Sequence, residues 1–248
     1  MVNFIFNNYF ILAFLILEFI LNRNLIRTIK VGLISGSVYI ASWFGWFNSS
    51  LGWDRDSKSN PIASLIYYHK EMLGFHTGLT EKHSYQANPW NWIVMGRPTS
   101  FYYQSPSGCS SKSCAQEVLA LGTPILWWVG AIALLFLIGV NIHNFAMRDF
   151  DIASLLPFVG ILAGYLPWFF FQKRTVFTFY AIAFQPFIIL AIVLLAKLAY
   201  EYDKRFKYLI ALAVIAIAIN FIYFLPIFTG QITTYDAWYA RMWWSSWI

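Results

Sequence analysis

An all-α integral membrane fold of about six transmembrane helices is expected for this 248-residue chain, with one long extracytoplasmic loop that contains an amphipathic surface helix. Three observations lead there. Hydrophobic residues make up 59% of the chain and charged residues 11%, against roughly 45–50% and ~25% in soluble domains. The apolar residues fall in long blocks, several of which reach the ~20 residues needed to cross a hydrocarbon core ~30 Å thick at 1.5 Å rise each. Aromatic residues make up 21%, and many Trp and Tyr stand at block ends, where amphipathic rings favour the headgroup level.

Transmembrane helices are expected at about 4–21, 31–51, 118–141, 153–172, 176–197 and 208–228. The opening Met1-Val2-Asn3 lacks a positive region, and the first block ends at Asn22-Arg23 without a small-residue cleavage site, so that block is expected to be retained. Short segments 22–30, 142–152 and 197–207 contain Arg23, Arg27, Lys30, Arg148, Lys197, Lys204, Arg205 and Lys207, whereas the opposite side's short segments hold Lys173, Arg174 and Arg241. The positive-inside rule then makes the first set cytoplasmic and turns the long loop outward, in a multi-pass protein of the plasma membrane. The N-terminus falls outside as well, which suits a chain preceded by other helices. Four regions follow: two helices in 1–51, the loop 52–117, four helices in 118–228, and an aromatic-rich extracytoplasmic tail 229–248.

A net charge of +6 and a pI near 9.3 do not imply nucleic acid, because the basic residues sit singly or in twos and threes between apolar blocks and read as topology signals. The only acid inside a block is Glu18, near its cytoplasmic end, so pumps and proton relays find little support. A Gly-rich phosphate loop is missing too, which argues against a nucleotide-driven engine.

Within the outer loop, Asn60-Pro61 is a helix start, with Asn as N-cap and Pro at the first helical position. Ile62, Leu65, Ile66, Met72, Leu73 and Leu79 then share one face, and Ser64, Tyr67, Lys70, Glu71 and Glu81 the other, as in a helix lying on a membrane. Gly78 is the expected terminator and Gly74 weakens the middle. His69 and His76 lie seven apart on the apolar face, ~10.5 Å apart in rise, too far to ligate one metal. Each is either a packed, hydrogen-bonded ring or a polar ring aimed at a lipid-phosphate or substrate cleft; His83, beyond the helix, poses the same choice.

Cys109 and Cys114, the only cysteines, close a short Cys-Ser-Ser-Lys-Ser-Cys ring in the outward loop, which favours a structural disulfide. Structural zinc wants four ligands, and the neighbours here are Ser and Lys. Gln172-Lys173-Arg174-Thr175 separates two apolar blocks at the outer surface. Its cations are either snorkelling contacts to lipid headgroups or a phosphate clamp, since a guanidinium holds phosphate by two parallel hydrogen bonds. Arg97, flanked by aromatics, carries the same alternatives. The outward acids Asp54, Asp56, Glu71, Glu81, Glu117 and Asp236 include no adjacent carboxylate pair.

Several runs resemble the bacterial branch of the protein O-mannosyltransferases. In the outer loop these are Tyr68-His69, Met72-Leu73, Phe75-His76, His83-Ser84-Tyr85, Pro89-Trp90, Trp92, Arg97-Pro98 and Phe101-Tyr102-Tyr103. Elsewhere they are Val38 to Trp43 with Gly45-Trp46-Phe47, Leu121 to Pro124, Trp168 to Gln172 with Arg174-Thr175 and Phe177, and the terminal Trp238, Arg241-Met242-Trp243 and Ser246-Trp247-Ile248. The resemblance covers most of 31–248 and concerns the C-terminal membrane region of the family.

The resemblance implies a glycosyltransferase of the GT-C type that moves mannose from a polyprenyl-phosphate carrier to Ser or Thr of a protein being translocated. No cofactor beyond the lipid-linked donor polyprenyl-phosphate-mannose is expected, no residue is assigned to a metal, and the expected partners are that donor, membrane lipids and the acceptor protein. The family's catalytic Asp-Glu pair sits in an early outward loop that this chain lacks, so catalytic residues are not assigned and an N-terminal half or partner subunit is expected. On this reading Arg174, with Gln172, Lys173 and Arg97, binds the carrier phosphate, while His69, His76 and Tyr103 roof the cavity, which Arg97 also helps to cover. Two other readings stand beside it: a non-catalytic polyprenyl-phosphate-binding or accessory protein, and another GT-C enzyme that modifies lipid A or a different glycan.

Overall fold

The computed structural model describes residues 2–149 and 151–248, with side chains from Tyr9 onward; Met1, at the head of the first expected region, and Phe150, in the expected 142–152 connection, lie outside them. The chain divides into two compact units, Met1–Glu81 and Lys82–Ile248.

In the first unit, α1 (Val2–Asn22) and α2 (Leu25–Ser42) pack together. Arg23, left-handed at φ 51°, reverses the chain between them. Asn24 caps α2 by accepting the Arg27 N–H at 3.0 Å, and Arg27 Nε pairs with Glu18 at 2.7 Å. That cap starts the helix six residues before the expected 31, so Arg27 and Lys30 ride on α2 rather than in a loop. Trp43 then breaks the run, and a short α3 (Phe44–Asn48) and turns lead to α4 (Pro61–Gly78).

The start of α4 is as read: Asn60 Oδ1 accepts the Ala63 N–H at 2.9 Å and Pro61 occupies the first turn. The faces divide differently. Ser64, Leu65, Tyr68 and Met72 form the buried stripe, while Ile62, Ile66 and Leu73 are exposed. Ser64, placed by its polarity on the solvent side, is buried because its hydroxyl accepts the Lys58 N–H at 3.1 Å and so needs no water.

The second unit holds a sheet and the remaining long helices. Strands β1 (Thr99–Gln104) and β2 (Cys114–Ala120) pair antiparallel, with an irregularity between Ser100 and Tyr102, and β2 pairs antiparallel with the two-residue β3 (Thr233–Thr234). This corrects the helix expected from 118. Residues 118–120 end a strand whose alternate side chains Ala115, Glu117 and Leu119 are buried, and the helix begins only at Pro124. Helices α5 (Pro124–Met147), α6 (Ile152–Tyr165), α7 (Gln185–Tyr202) and α8 (Phe206–Thr229) follow. Two expected helices are interrupted where proline breaks the ladder: α6 passes at Leu166-Pro167 into a 3-10 stretch to Phe171, and Thr178–Ala183 is 3-10 before α7 starts at Gln185-Pro186.

Among the described residues five helices are long and apolar enough to cross a membrane: α2, α5, α6 with its 3-10 continuation, α7 and α8; α1 is apolar over Tyr9–Asn22 as well. The helical membrane class stands, with a small sheet added. Glycines set the closest helix approaches, as is common where lipid offers no hydrophobic drive for association. A Cβ at Gly130 would stand 2.4 Å from Ile188, and one at Gly160 2.3 Å from the Phe187 ring. Asn220 of α8 accepts the Ile125 N–H at 3.1 Å, satisfying one of the orphan donors at the start of α5.

Candidate functional site

The turn between α6 and α7 positions the cations singled out in the sequence. The Arg174 N–H donates to Phe171 O at 3.0 Å, closing the turn, and the Ala87 N–H donates to Val176 O at 2.8 Å, tying the turn to the loop ahead of β1. Gln172 and Lys173 are exposed, whereas Arg174 is only 5% exposed. Its guanidinium carbon lies 5.7 Å from the Trp168 ring centre and 5.6 Å from that of Tyr180, two rings stacked 4.6 Å apart, and Arg174 also hydrogen-bonds Tyr180. The ring quadrupoles attract the charge and their bulk dries it, so an anion reaching this guanidinium would meet a cation already stripped of much of its water.

Arg97 is arranged differently. Its Nη1 donates to Ser246 O at 2.5 Å and Ile248 O at 3.0 Å, and Nη2 donates to Ser84 O at 3.0 Å, with the guanidinium 5.1 Å from the Tyr85 ring centre. The donors expected to face a phosphate instead fasten the C-terminal turn. Trp247 Nε1 to Met95 O at 2.7 Å and Ser246 Oγ to Gly96 O at 2.5 Å complete that fastening, and Thr178 Oγ donates to Arg97 O at 2.5 Å from the 3-10 stretch before α7.

Glu117 is 3% exposed in the middle of β2 and accepts from Trp238 Nε1 at 2.6 Å. Burial pushes its carboxyl above the ordinary 4.5, and hydrogen bonds from Ser100 and Trp238 pull the other way. Tyr103, opposite Glu117 in the β1–β2 register, rests on Trp238 with ring centres 5.3 Å apart and is itself 43% exposed. Sequence reading counted Glu117 only as an outward acid. Burial alternates along the strand from Ala115, but Cys114-Ala115-Gln116-Glu117-Val118-Leu119-Ala120 does not alternate in polarity, so the sequence carries no signal for it. The Cys109 and Cys114 sulfurs are bonded, with Cα atoms 5.9 Å apart, at the tip of the β1–β2 hairpin.

The two helical histidines belong to the first unit. His69 Nδ1 lies 2.6 Å from Leu65 O, and Nε2 2.5 Å from Tyr39 Oη. A carbonyl only accepts, so Nδ1 carries the proton and Nε2 accepts from the Tyr39 hydroxyl. His76 is half-buried beside Phe75, with ring centres 5.2 Å apart. His83, in the second unit, accepts the Tyr85 N–H through Nδ1 at 3.1 Å and packs on Phe177. Among the described residues no three His, Cys, Asp or Glu side chains converge as metal ligands would.

Apolar helices long enough to span a bilayer, joined by short turns and a small sheet, define a polytopic membrane protein. The chain belongs to the protein O-mannosyltransferases: residues 61–247 match the family described as the C-terminal four-transmembrane region of those enzymes. It is 31% identical over 242 residues to the polyprenol-phosphate-mannose–protein mannosyltransferase of Mycobacterium tuberculosis, covering 88% of this chain and 45% of that one. It is 22% identical over 236 residues to dolichyl-phosphate-mannose–protein mannosyltransferase 1 of Saccharomyces cerevisiae, covering 86% and 28%. The fold is shared with the S. cerevisiae protein O-mannosyltransferase Pmt1-Pmt2 complex bound to the sugar donor, at a TM-score of 0.59 and 24% identity over 75% of this chain and 27% of that one. The chain thus spans a little under half the length of its bacterial relatives.

Proposed function

We propose that this chain forms the donor-lipid side of a protein O-mannosyltransferase, acting with an N-terminal half or partner subunit to move mannose from polyprenyl-phosphate-mannose to Ser or Thr of a translocated protein. The observation that carries this is Arg174, a cation held among Trp168 and Tyr180 at the turn between α6 and α7. In the transfer the bond from mannose C1 to the phosphate oxygen breaks, and charge returns to the phosphate as the acceptor oxygen bonds C1. A guanidinium fixed at that phosphate stabilises the departing charge by paired, charge-assisted hydrogen bonds. Gln172 and Lys173, exposed beside it, add a hydrogen bond and a second charge at the outer headgroup level of the plasma membrane. The base that takes the acceptor proton comes from the other half, since none of this chain's outward acids forms a carboxylate pair. Arg97 acts by holding the loop ahead of β1 to the C-terminal turn, and Tyr103, resting on Trp238, roofs the carrier.

The test is mannose transfer to a Ser/Thr peptide by the assembled enzyme. Arg174→Ala should lower donor use by about a hundredfold or more, while Arg148→Ala, at the opposite ends of the helices, should leave it near wild type. Equal effects would remove the clamp.

A further inference from the structure

At the helix ends opposite Arg174, between the end of α5 and the start of α6, lies a cavity of about 280 Å³ with apolar walls from Ile142, Phe145, Leu155 and Phe158, and with Asn141 and Asp151 also lining it. Asn141 is 9% exposed, and its amide is oriented by two carbonyls: Nδ2 donates to Leu137 O at 2.9 Å and Ser154 O at 3.3 Å. Flipping the amide would set its oxygen against both carbonyls, so the assignment is fixed. Oδ1 is left buried with no donor among the described residues. A buried acceptor in that state is uncommon in a native structure and calls for a partner.

Asp151 supplies the second feature. Its two carboxylate oxygens cap α6, accepting from the Ala153 N–H at 3.1 Å and the Ser154 N–H at 3.0 Å, yet each keeps a further lone pair. It makes no ion pair among the described residues and is exposed at the mouth of the helix pair. Asn141 lies six residues, about 9 Å of rise, inside the end of α5 at Met147. The cavity therefore offers an anion near the membrane surface, an acceptor one step deeper, and apolar walls suited to an acyl chain.

We propose that this cavity binds a membrane lipid with a primary ammonium headgroup, of the phosphatidylethanolamine class. The ammonium is compact and positive and has three N–H donors, enough for the Asp151 carboxylate and for Asn141 Oδ1. A quaternary ammonium has the same charge but no N–H, so phosphatidylcholine cannot satisfy the oxygen.

The test uses the whole chain in vesicles of phosphatidylcholine with increasing phosphatidylethanolamine or its N,N-dimethyl analogue, read by thermal unfolding and by lipid retention in native mass spectrometry. Phosphatidylethanolamine should raise the midpoint by about 2 °C or more and be retained selectively, with the dimethyl lipid in between. Asn141→Leu should abolish the preference. Should that variant fold poorly, Leu155→Trp, which fills the cavity but leaves Asn141 and Asp151 in place, should abolish it too. An equal response of the wild type to all three lipids overturns the proposal, and so does a preference that survives cavity filling. A wild type indifferent to lipid, with only water in the cavity, overturns it as well.

Discussion

Trp238 Nε1 donates to Glu117 Oε2 at 2.6 Å, joining a glutamate 3% exposed in β2 to an indole 121 residues further along the chain. Since burial holds the carboxyl above its ordinary 4.5, the folded protein keeps a proton that the unfolded chain has released in the interval just above that pH. Stability should therefore fall as pH rises from 4.5 through the folded-state value, then level off. Glu117→Gln, whose side-chain oxygen still accepts from Trp238, should remove that slope. Unfolding midpoints in detergent from about pH 4 to about pH 8 would show it; identical slopes for both proteins would contradict the assignment.

Arg97 spends its donors on carbonyls of Ser84, Ser246 and Ile248. Hydrogen bonds from a charged donor are worth roughly 1.5–3 kcal/mol each when not left to water, and this side chain is only partly buried. Arg97→Ala should cost about 2–3 kcal/mol in total and speed amide hydrogen exchange at residues 245–248. Arg97→Lys should recover only part, because an ammonium cannot reproduce the planar fork. Unchanged exchange in the terminal turn would show that the fastening contributes nothing.

Gly160 leaves no room for a side chain, because a Cβ would stand 2.3 Å from the Phe187 ring. Gly160→Ala should destabilise by about 1–3 kcal/mol, the usual cost of overpacking. Gly139 of α5, whose Cβ would meet nothing within 4 Å, is the matched control, and Gly139→Ala should be neutral or stabilising. Thermal unfolding of the two variants side by side decides the point; equal losses would mean that contact with Phe187 is not the cause.

His69 is fixed as the Nδ1–H tautomer by Leu65 O on one side and the Tyr39 hydroxyl on the other. Nitrogen-15 NMR of labelled imidazole should report a protonated Nδ1 and a bare Nε2. Tyr39→Phe should leave Nε2 without its donor and cost about 1 kcal/mol. The reverse tautomer would mean that the ring is held by something else.

Much of this architecture was legible from the chain alone, because lipid imposes a simple demand: blocks of apolar residues long enough to span. The Asn60-Pro61 helix start was readable for the same kind of reason, a local one, since cap and first turn are set by neighbours in sequence. The sheet was not. Residues 118–120 merge without a polar gap into the apolar run of α5, so strand and helix are indistinguishable by hydropathy until Pro124 restarts the backbone. Arg174 could be marked as a cation between two blocks, but its aromatic cradle needed Trp168 and Tyr180 brought face to face by the two 3-10 stretches. Arg97 looked equivalent to it in sequence and became a fastener only because partners some 150 residues away present carbonyls to it.

Those two 3-10 stretches, Leu166–Phe171 and Thr178–Ala183, also restrict what can surround the turn. Backbone hydrogen bonds in a 3-10 helix have poorer geometry than those of an α-helix, and acyl chains offer the backbone no partners to make up the difference. The two stretches therefore suit the edge of the apolar slab, where water reaches the backbone, better than bare contact with lipid tails.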